Sequence, residues 1–255
     1  MSKRVRDYRE IVRRLTNAAT DGWRLKRVST ISGYPWFVVE REVGRAAPTV
    51  LLSGGMHGEE PAGVEGVLCW LEGGDGARSH VNWLVLPCIN PYGWERNQRW
   101  NAQRRDINRQ FRKRTDTPEA ELIKRIVKGR RFLFSMEFHE DVDASGYYLY
   151  ELRRQPPYVG ERILRSVGKL IPINHEAIID GNRATGRGLI RRDANGNLIR
   201  TRRRWPMAFH LFQHCTDHLL GSETPVNAPL VRRASAHAVA LRAALAADSL
   251  LQRSP

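Results

Sequence analysis

The chain has 255 residues, of which 41% are hydrophobic and 27% are charged. This is the composition of a globular protein, and the length suits one domain covering residues 1–255. The apolar runs are shorter than the roughly 18 residues that a membrane span needs, and the first residues mix charged and apolar side chains, which argues against a signal peptide. The sequence therefore predicts a cytoplasmic protein whose three widely spaced cysteines are reduced thiols.

The net charge of the chain is strongly positive. Its formal value is +15 at pH 7, and two segments, 96–114 and 191–205, hold much of the excess. Such a field attracts polyanions and acidic substrates. Neither segment contains a helix-turn-helix, a zinc finger or an RNA-binding sheet signature, so nucleic acid is an alternative partner that charge alone supports.

Segments with strand character alternate with segments of helix character along the chain. We predict helices over 4–19, 59–73, 117–129, 157–171, 206–217 and 228–251, and strands over 24–30, 36–42, 49–55, 82–90, 131–139, 147–153 and 218–225. This alternation predicts a three-layer α/β/α sandwich around a central mixed, largely parallel sheet.

Four polar side chains stand at or just after the ends of predicted strands. They are His57, Asn90, His139 and Glu223. Because the ligands of open α/β sheets bind at the carboxyl ends of the strands, we expect these four residues to meet at one edge of the sheet.

His57 and Glu60 form an H-x-x-E pair at the start of a predicted helix. On a strand-to-helix turn, such a pair offers an imidazole nitrogen and a carboxylate to one metal ion, but acids at this position also simply favour the helix dipole. His139, which has acids on either side, is a candidate third ligand, and a structural histidine is the alternative. A His-Glu-His set with an open fourth position is a known catalytic zinc arrangement.

The loop that follows Asn90 carries amides and cations in an ordered pattern. Arg99 and Asn101 form an R-x-N pair, and the run 106–109 reads D-I-N-R. Arginine binds carboxylates through a planar fork and stabilises a developing oxyanion without losing its proton. A solvated basic loop explains single arginines here, but it does not explain the ordered pattern.

Taken together, the motifs occur in the order typical of one enzyme family. H-x-x-E, N-P-x-G, R-x-N with D-[LI]-N-R, a strand-terminal histidine and S/T-E-T-P run from His57 to Pro225, about two thirds of the chain. In this order they resemble the zinc carboxypeptidase family related to carboxypeptidase A. The resemblance implies a zinc-dependent peptidase in which one Zn²⁺ ion is bound by His57, Glu60 and His139.

The same resemblance implies roles for the residues around the metal. Glu223 would act as general base toward water and then as acid toward the leaving amine. Arg99 would polarise the scissile carbonyl, and Asn108 with Arg109 would bind the terminal carboxylate of the substrate. Asp106 would orient the first zinc histidine from behind.

Two features depart from the digestive enzymes of this family. Only 82 positions separate His57 from His139 (139 minus 57), so the chain is similar to the compact bacterial members. The family also uses a mobile tyrosine near the substrate carboxylate, and no tyrosine lies between Tyr158 and Glu223 to match it. The second departure weakens the expectation of plain C-terminal exopeptidase action.

Several alternatives stay open at this point. The related aspartoacylase and succinylglutamate desuccinylase group shares H-x-x-E and a D-x-N-R loop but cleaves N-acyl amino acids, whereas NPYG and SETP look more like the peptidases. The expected partner is a peptide or an N-acyl amino acid with a free carboxylate, and the surplus arginines suggest acidic or cell-wall peptides. A non-enzymatic nucleic-acid-binding protein is a further alternative. We expect His210 and His214 to pack on a helix rather than to bind a second metal.

Overall fold

A computed structural model describes residues 6–20, 22–191, 199 and 201–251, which form alternating strands and helices. The helices are α1 (Tyr8–Ala18), α2 (Pro61–Glu72), α3 (Pro91–Arg96), α4 (Pro118–Val127), α5 (Gly160–Val167), α6 (Met207–His214) and α7 (Leu230–Leu251), with a 3₁₀ turn at Ile107–Arg109. The strands are β1 (Trp23–Ile31), β2 (Tyr34–Arg41), β3 (Thr49–Ser53), β4 (Asn82–Leu86), β5 (Ser135–Asp141), β6 (Tyr148–Arg153), β7 (Ile178–Ile179), β8 (Asn182–Arg183), β9 (Leu189–Arg191) and β10 (His218–Pro225). None of the described helices combines the length and the apolarity that crossing a membrane requires.

Within the described ranges, eight strands form one sheet in the order β1-β2-β4-β3-β5-β10-β6-β9. The four central strands, β4, β3, β5 and β10, run parallel to one another. β2 joins this parallel block antiparallel on one side, and β6 joins it antiparallel on the other. The structure thus confirms the predicted mixed, largely parallel sheet, and the carboxyl ends of the central strands open at one edge.

Helices cover both faces of this sheet. Leu52 and Met136 belong to a core with apolar side chains of α1, α2, α5 and α7. Leu51 and Leu84 belong to a second core with apolar side chains of α4 and α6. Because neighbouring side chains of a strand point to opposite faces, the central strands must be apolar on both sides. This arrangement confirms the predicted three layers.

The first elements begin and turn at local signals. Asp7 caps α1, since its Oδ1 atom accepts a hydrogen bond from the backbone N–H of Arg9 at 2.9 Å. The helix therefore starts at Tyr8, later than the predicted start at residue 4, and residues 1–5 lie outside the described part of the chain. β1 and β2 are joined by Ser32 and Gly33, whose φ angles of 51° and 85° are those of a tight two-residue hairpin turn.

The hairpin formed by β7 and β8 was not predicted from the sequence. It turns at Asp180 and Gly181, which both have positive φ angles of 46° and 65°. An Asp-Gly pair is a strong hairpin signal, but each strand here has only two residues, too few to show an alternating pattern. This hairpin brings Asp180 to the wall of the cavity described below.

Candidate active site

The H-x-x-E turn connects β3 to α2 through closely packed glycines. Gly55 has a φ of 65°, which side-chain-bearing residues rarely adopt. At Gly58 an added Cβ atom would lie 2.0 Å from a backbone carbon of α3, so glycine alone fits there. Pro61 occupies the start of α2, where its missing N–H removes no helical hydrogen bond. These constraints hold His57 and Glu60 at the carboxyl edge of the sheet.

Three side chains from this turn and from β5 form a buried cluster. Glu60 Oε1 lies 2.5 Å from His57 Nδ1, and Glu60 Oε2 lies 2.9 Å from His139 Nδ1. One potential ligand atom from each residue lies within 4.8 Å of the others. In the part of the chain that the structure describes, this is the one group of three such side chains that could hold a metal ion. The fold therefore brings together the three ligands that the resemblance implies.

Opposite charges stabilise this cluster. Burial raises the pKa of Glu60, but attraction to the two histidines outweighs burial and lowers the pKa to about 2. Burial lowers the pKa of His57 and His139, but attraction to Glu60 outweighs it, so the pKa of His57 is raised and that of His139 is raised well above its usual value. The site therefore favours positive charge between the rings, which a bound cation also supplies.

Asp106 connects the cluster to the arginine loop. Its Oδ1 atom lies 3.4 Å from His57 Nε2, the ring nitrogen that is turned away from Glu60. Arg99 Nε donates to Asp106 Oδ2 at 3.0 Å, and Arg99 Nη1 lies 3.8 Å from Glu60 Oε1. Asp106 also accepts a hydrogen bond from the backbone N–H of Asn108 at 2.9 Å. One carboxylate thus positions a candidate ligand, the arginine and the start of the 3₁₀ turn.

Asn108 and Arg109 lie on that turn and line the same cavity as the cluster. Asn108 Oδ1 accepts a hydrogen bond from the backbone N–H of Met207 at 2.9 Å, which fixes the amide against the start of α6. Arg109 Nη1 donates to the backbone carbonyl of Asn108 at 2.8 Å. An amide and a guanidinium side by side are suited to binding a carboxylate.

Glu223 faces the cluster from the neighbouring strand. β10 pairs in parallel with β5, and the register places Glu223 directly opposite His139. Burial raises the pKa of Glu223 well above its usual value, although attraction to His139 opposes this. A carboxyl group with a raised pKa is suited to accepting and returning a proton near neutral pH.

Glu140 fastens α2 from the opposite face of β5, a contact that the sequence did not reveal. The Glu60 side chain faces the histidines and makes no capping hydrogen bond to its own helix. Glu140 Oε2 instead accepts a hydrogen bond from the backbone N–H of Ala62 at 2.6 Å, and Glu140 pairs with Arg233 of α7. Since Glu140 follows His139 directly, this contact ties together the elements that carry two candidate ligands.

The predicted site residues surround one cavity of about 270 Å³. Seven of the eight line it, namely His57, Glu60, Arg99, Asn108, Arg109, His139 and Glu223, whereas Asp106 is not among its lining residues. The lining also includes polar residues that were not predicted from the sequence, namely Glu137, Glu140, Asp141, Tyr148, Tyr150, Glu151, Asp180 and Arg202. Strand alternation could have identified Glu137 and Asp141 of β5, since residues 137, 139 and 141 share one face.

His210 and His214 lie away from this cluster on α6. Their ring centroids are 4.8 Å apart, and the His210 ring lies 6.1 Å from the ring of Phe111. Burial and the neighbouring His214 lower the pKa of His210 to about 4. Among the described residues, no third potential ligand lies close enough to form a metal-binding group with this pair.

The chain is similar to proteins of two related groups. A family model described as the succinylglutamate desuccinylase/aspartoacylase catalytic domain matches residues 46–157, a range that includes His57 and His139 but not Glu223. No curated protein sequence matches the chain at a significant level.

The similar solved structures cover nearly the whole chain. A candidate metallopeptidase from Shewanella amazonensis SB2B is 24% identical, with a TM-score of 0.79 over 93% of this chain and 91% of that one. A candidate metallopeptidase from Shewanella denitrificans OS217 is 23% identical, with a TM-score of 0.79 over 94% of this chain and 90% of that one. A metallo-carboxypeptidase from Burkholderia cenocepacia is 15% identical, with a TM-score of 0.70 over 96% of this chain and 70% of that one. At these identities the likeness concerns the fold, and it supports the resemblance that the motifs indicated.

Proposed function

We propose, from the premise that this chain has the zinc-carboxypeptidase-like fold, that it is a zinc-dependent hydrolase of a peptide or related amide bond in a substrate with a free carboxylate. One observation carries this proposal. A single cavity holds a buried His-Glu-His cluster, a carboxyl group with a raised pKa, and three side chains suited to binding a carboxylate or an oxyanion.

The cluster fits Zn²⁺ by the chemistry of its donor set. Two imidazole nitrogens and one carboxylate are ligands of hydrolytic zinc sites, and the second nitrogen of each histidine lies near a carboxylate. His57, Glu60 and His139 would hold the ion. When bound there, Zn²⁺ would supply a Lewis acid and lower the pKa of a water molecule.

The chain's own groups would then divide the remaining work. Glu223 would remove a proton from the attacking water and return it to the leaving amine. The guanidinium of Arg99 would stabilise the oxyanion that develops on the substrate carbonyl. Asn108 and Arg109 would hold the substrate carboxylate and so fix which amide bond faces Glu223.

A second candidate function has one specific observation in its favour. The matching family model is that of the desuccinylases and aspartoacylases, which is the alternative that the shared H-x-x-E and D-x-N-R motifs left open. In such a deacylase the same residues would act on the amide of an N-acyl amino acid. The resemblance of NPYG and SETP to the peptidases leads us to prefer a peptide substrate.

We also propose a cellular location and a second partner for this protein. The cysteines, Cys69, Cys88 and Cys215, are free, which suits the reducing cytoplasm. The charge of +15 suits a polyanionic second partner such as nucleic acid. Tight RNA binding by a purified protein that takes up no zinc would favour the non-enzymatic alternative.

A substrate panel tests the proposed function. The full chain, loaded with one equivalent of Zn²⁺, is assayed on N-acetyl dipeptides, on the same dipeptides with an amidated C-terminus, on N-acetylaspartate and on N-succinylglutamate. We expect cleavage of the N-acetyl dipeptides that have a free C-terminal carboxylate. On the amidated dipeptides kcat/KM should be lower by at least about 100-fold, because Asn108 and Arg109 then have no carboxylate to bind. Cleavage of the N-acyl amino acids alone would support the deacylase, and no cleavage of any substrate would contradict both.

A further inference from the structure

The helix α1 is fastened to both helices that flank the H-x-x-E turn. Arg14 of α1 pairs with Glu65 of α2 at 2.8 Å and with Glu72 of α2 at 2.7 Å. At the start of α1, the backbone N–H of Tyr8 donates to Glu95 Oε1 of α3 at 3.2 Å. The H-x-x-E turn leads into α2 and packs on α3. The helix α1 therefore bridges the two elements that enclose the turn.

Arg6 stands directly before the residue that caps α1, and its side chain reaches the turn itself. The Nη1 atom of Arg6 donates to the backbone carbonyl of Gly58 at 2.7 Å and to that of Trp94 at 3.1 Å. Its Nη2 atom donates to Asn97 Oδ1 at 2.8 Å. Gly58 lies inside the H-x-x-E motif, whereas Trp94 and Asn97 belong to α3 and its C-cap. One guanidinium thus joins the candidate metal-binding turn to the neighbouring helix.

The surroundings of Arg6 fix the position of this guanidinium. The residue is half-buried, and its Cζ atom lies 5.6 Å from the centre of the Trp94 ring. Its three acceptors are two backbone carbonyls and one side-chain amide. Arginine can donate in several directions from one rigid plane, whereas the ammonium of lysine is a point charge on a flexible stem. An arginine therefore suits a junction between three acceptors from two elements.

The Gly58 carbonyl is a sensitive point at which to hold the turn. It lies one residue after His57 and two residues before Glu60, which are both candidate ligands. Glycine has more backbone freedom than other residues, so contacts from outside the turn are needed to keep it in one conformation. Ligands that are already ordered bind an ion more tightly, because less conformational entropy is then lost on binding.

We propose that Arg6 is a positioning residue for the metal site, which holds the Gly58 carbonyl and thereby keeps His57 and Glu60 in the conformation that binds the ion. The inference rests on the proposed function, because it concerns the zinc site on which the hydrolase depends. Arg6 is not among the residues that line the cavity. Its replacement should therefore change zinc affinity rather than substrate binding.

Competition with a chelator for Zn²⁺ tests this role. In Arg6→Ala the dissociation constant for zinc should rise by about tenfold, as is typical when a contact behind a metal ligand is lost. The direction is informative, since losing a positive charge near the site would by electrostatics alone tighten the binding of a cation. Arg13→Ala is the matched control, because Arg13 is exposed on α1 and pairs with Glu10 of the same helix. It should bind zinc like the wild type.

Added guanidinium ion separates positioning from a general loss of stability. Millimolar guanidinium chloride should restore part of the zinc affinity of Arg6→Ala, whereas sodium chloride at the same concentration should not. The Tm of the metal-free variant measures its stability independently. A lower Tm with unchanged zinc affinity would make Arg6 a structural residue and would overturn the inference. Tighter zinc binding by Arg6→Ala would overturn it as well.

The variant Arg6→Lys keeps the inference falsifiable if Arg6→Ala does not fold. Lysine keeps the charge but lacks the planar fork, so zinc affinity should fall by about threefold. If the wild type binds no zinc, the proposed hydrolase fails and the inference fails with it. If the wild type binds zinc and cleaves a substrate while the folded Arg6 variants bind zinc as tightly, the inference is wrong and the hydrolase stands.

Discussion

The two faces of β5 and β10 carry two histidine clusters of opposite character. On one face, His139 and Glu223 line the cavity. On the other, His237 of α7 reaches the same strands, with its Nδ1 atom 2.8 Å from Ser222 Oγ and its Nε2 atom 3.3 Å from Thr224 Oγ1. His237 is fully buried and its ring stacks on Phe138.

The difference between these histidines lies in their neighbours, since both are buried. Carboxylates surround His139, and attraction to Glu60 raises its pKa against the effect of burial. His237 is hydrogen-bonded to hydroxyl groups, so burial prevails and lowers its pKa to about 3. A buried histidine is therefore a candidate metal ligand when the fold places carboxylates beside it and a cavity through which a metal ion can reach it. Without them it is a structural side chain.

The largest effect that we expect is on kcat, when the carboxyl group of Glu223 in the cavity is replaced. Glu223→Gln keeps the shape of the side chain but cannot accept a proton, so kcat should fall by about 10²–10⁴-fold while zinc stays bound. Stopped assays and metal analysis on the same preparation measure both quantities. Unchanged turnover would contradict the role of Glu223.

A smaller effect, on zinc affinity, is expected when Asp106 beside the candidate ligand His57 is replaced. Asp106→Asn keeps an acceptor near His57 but removes the charge, so zinc affinity should fall by about 10–100-fold. Competition with a chelator measures the dissociation constant. Asp116→Asn is the control, because Asp116 pairs with Arg105 on the exposed side of the same loop. Equal affinities for Asp106→Asn and wild type would show that Asp106 does not orient the ligand.

On the face of β10 that contacts His237, we expect a substitution to change stability rather than activity. Ser222→Ala removes the hydroxyl that bonds both His237 and Tyr147, so the free energy of unfolding should fall by about 1–3 kcal/mol, with kcat within about twofold of wild type. Urea unfolding measures the loss, and Ser145→Ala at an exposed position is the control. A large loss of kcat in a folded Ser222→Ala protein would contradict the claim that the face with His237 is structural and the face with His139 is catalytic.

The pH dependence of stability gives the smallest effect. The pKa of His237 is about 3 in the folded chain and about 6.5 when unfolded, so between those values the unfolded state binds more protons. Stability contributed by neutral His237 is therefore present above pH 6.5 and is lost as the pH falls toward 3. We expect the Tm of the metal-free wild type to fall more between pH 7 and pH 5 than that of His237→Asn.

The control for this pH comparison is His175→Asn, because His175 is exposed. It should follow the wild-type curve. Parallel curves for wild type and His237→Asn would show that His237 is not held neutral by the fold.

Much of this structure was predictable from sequence, because strand and helix periods are local and strand ends meet at one edge of an α/β sheet. The motifs also predicted seven of the cavity residues, which lie in loops or at strand ends. Glu137 was missed because one glutamate inside a buried strand shows no sign of its partners, which depend on β10 lying beside β5. Asp180 was missed because its hairpin is too short for a pattern, and the link from Glu140 to Arg233 depends on where α7 docks.

Zinc binding by a matched pair of histidine variants tests the central claim most directly. Titration of the metal-free chain with Zn²⁺, followed by calorimetry, should give one tight site in the wild type. The site should be lost in His139→Ala and kept in His237→Ala. A His139→Ala protein that binds one zinc ion as tightly as the wild type, or a folded His237→Ala protein that binds none, would contradict the assignment of the cavity face as the metal site.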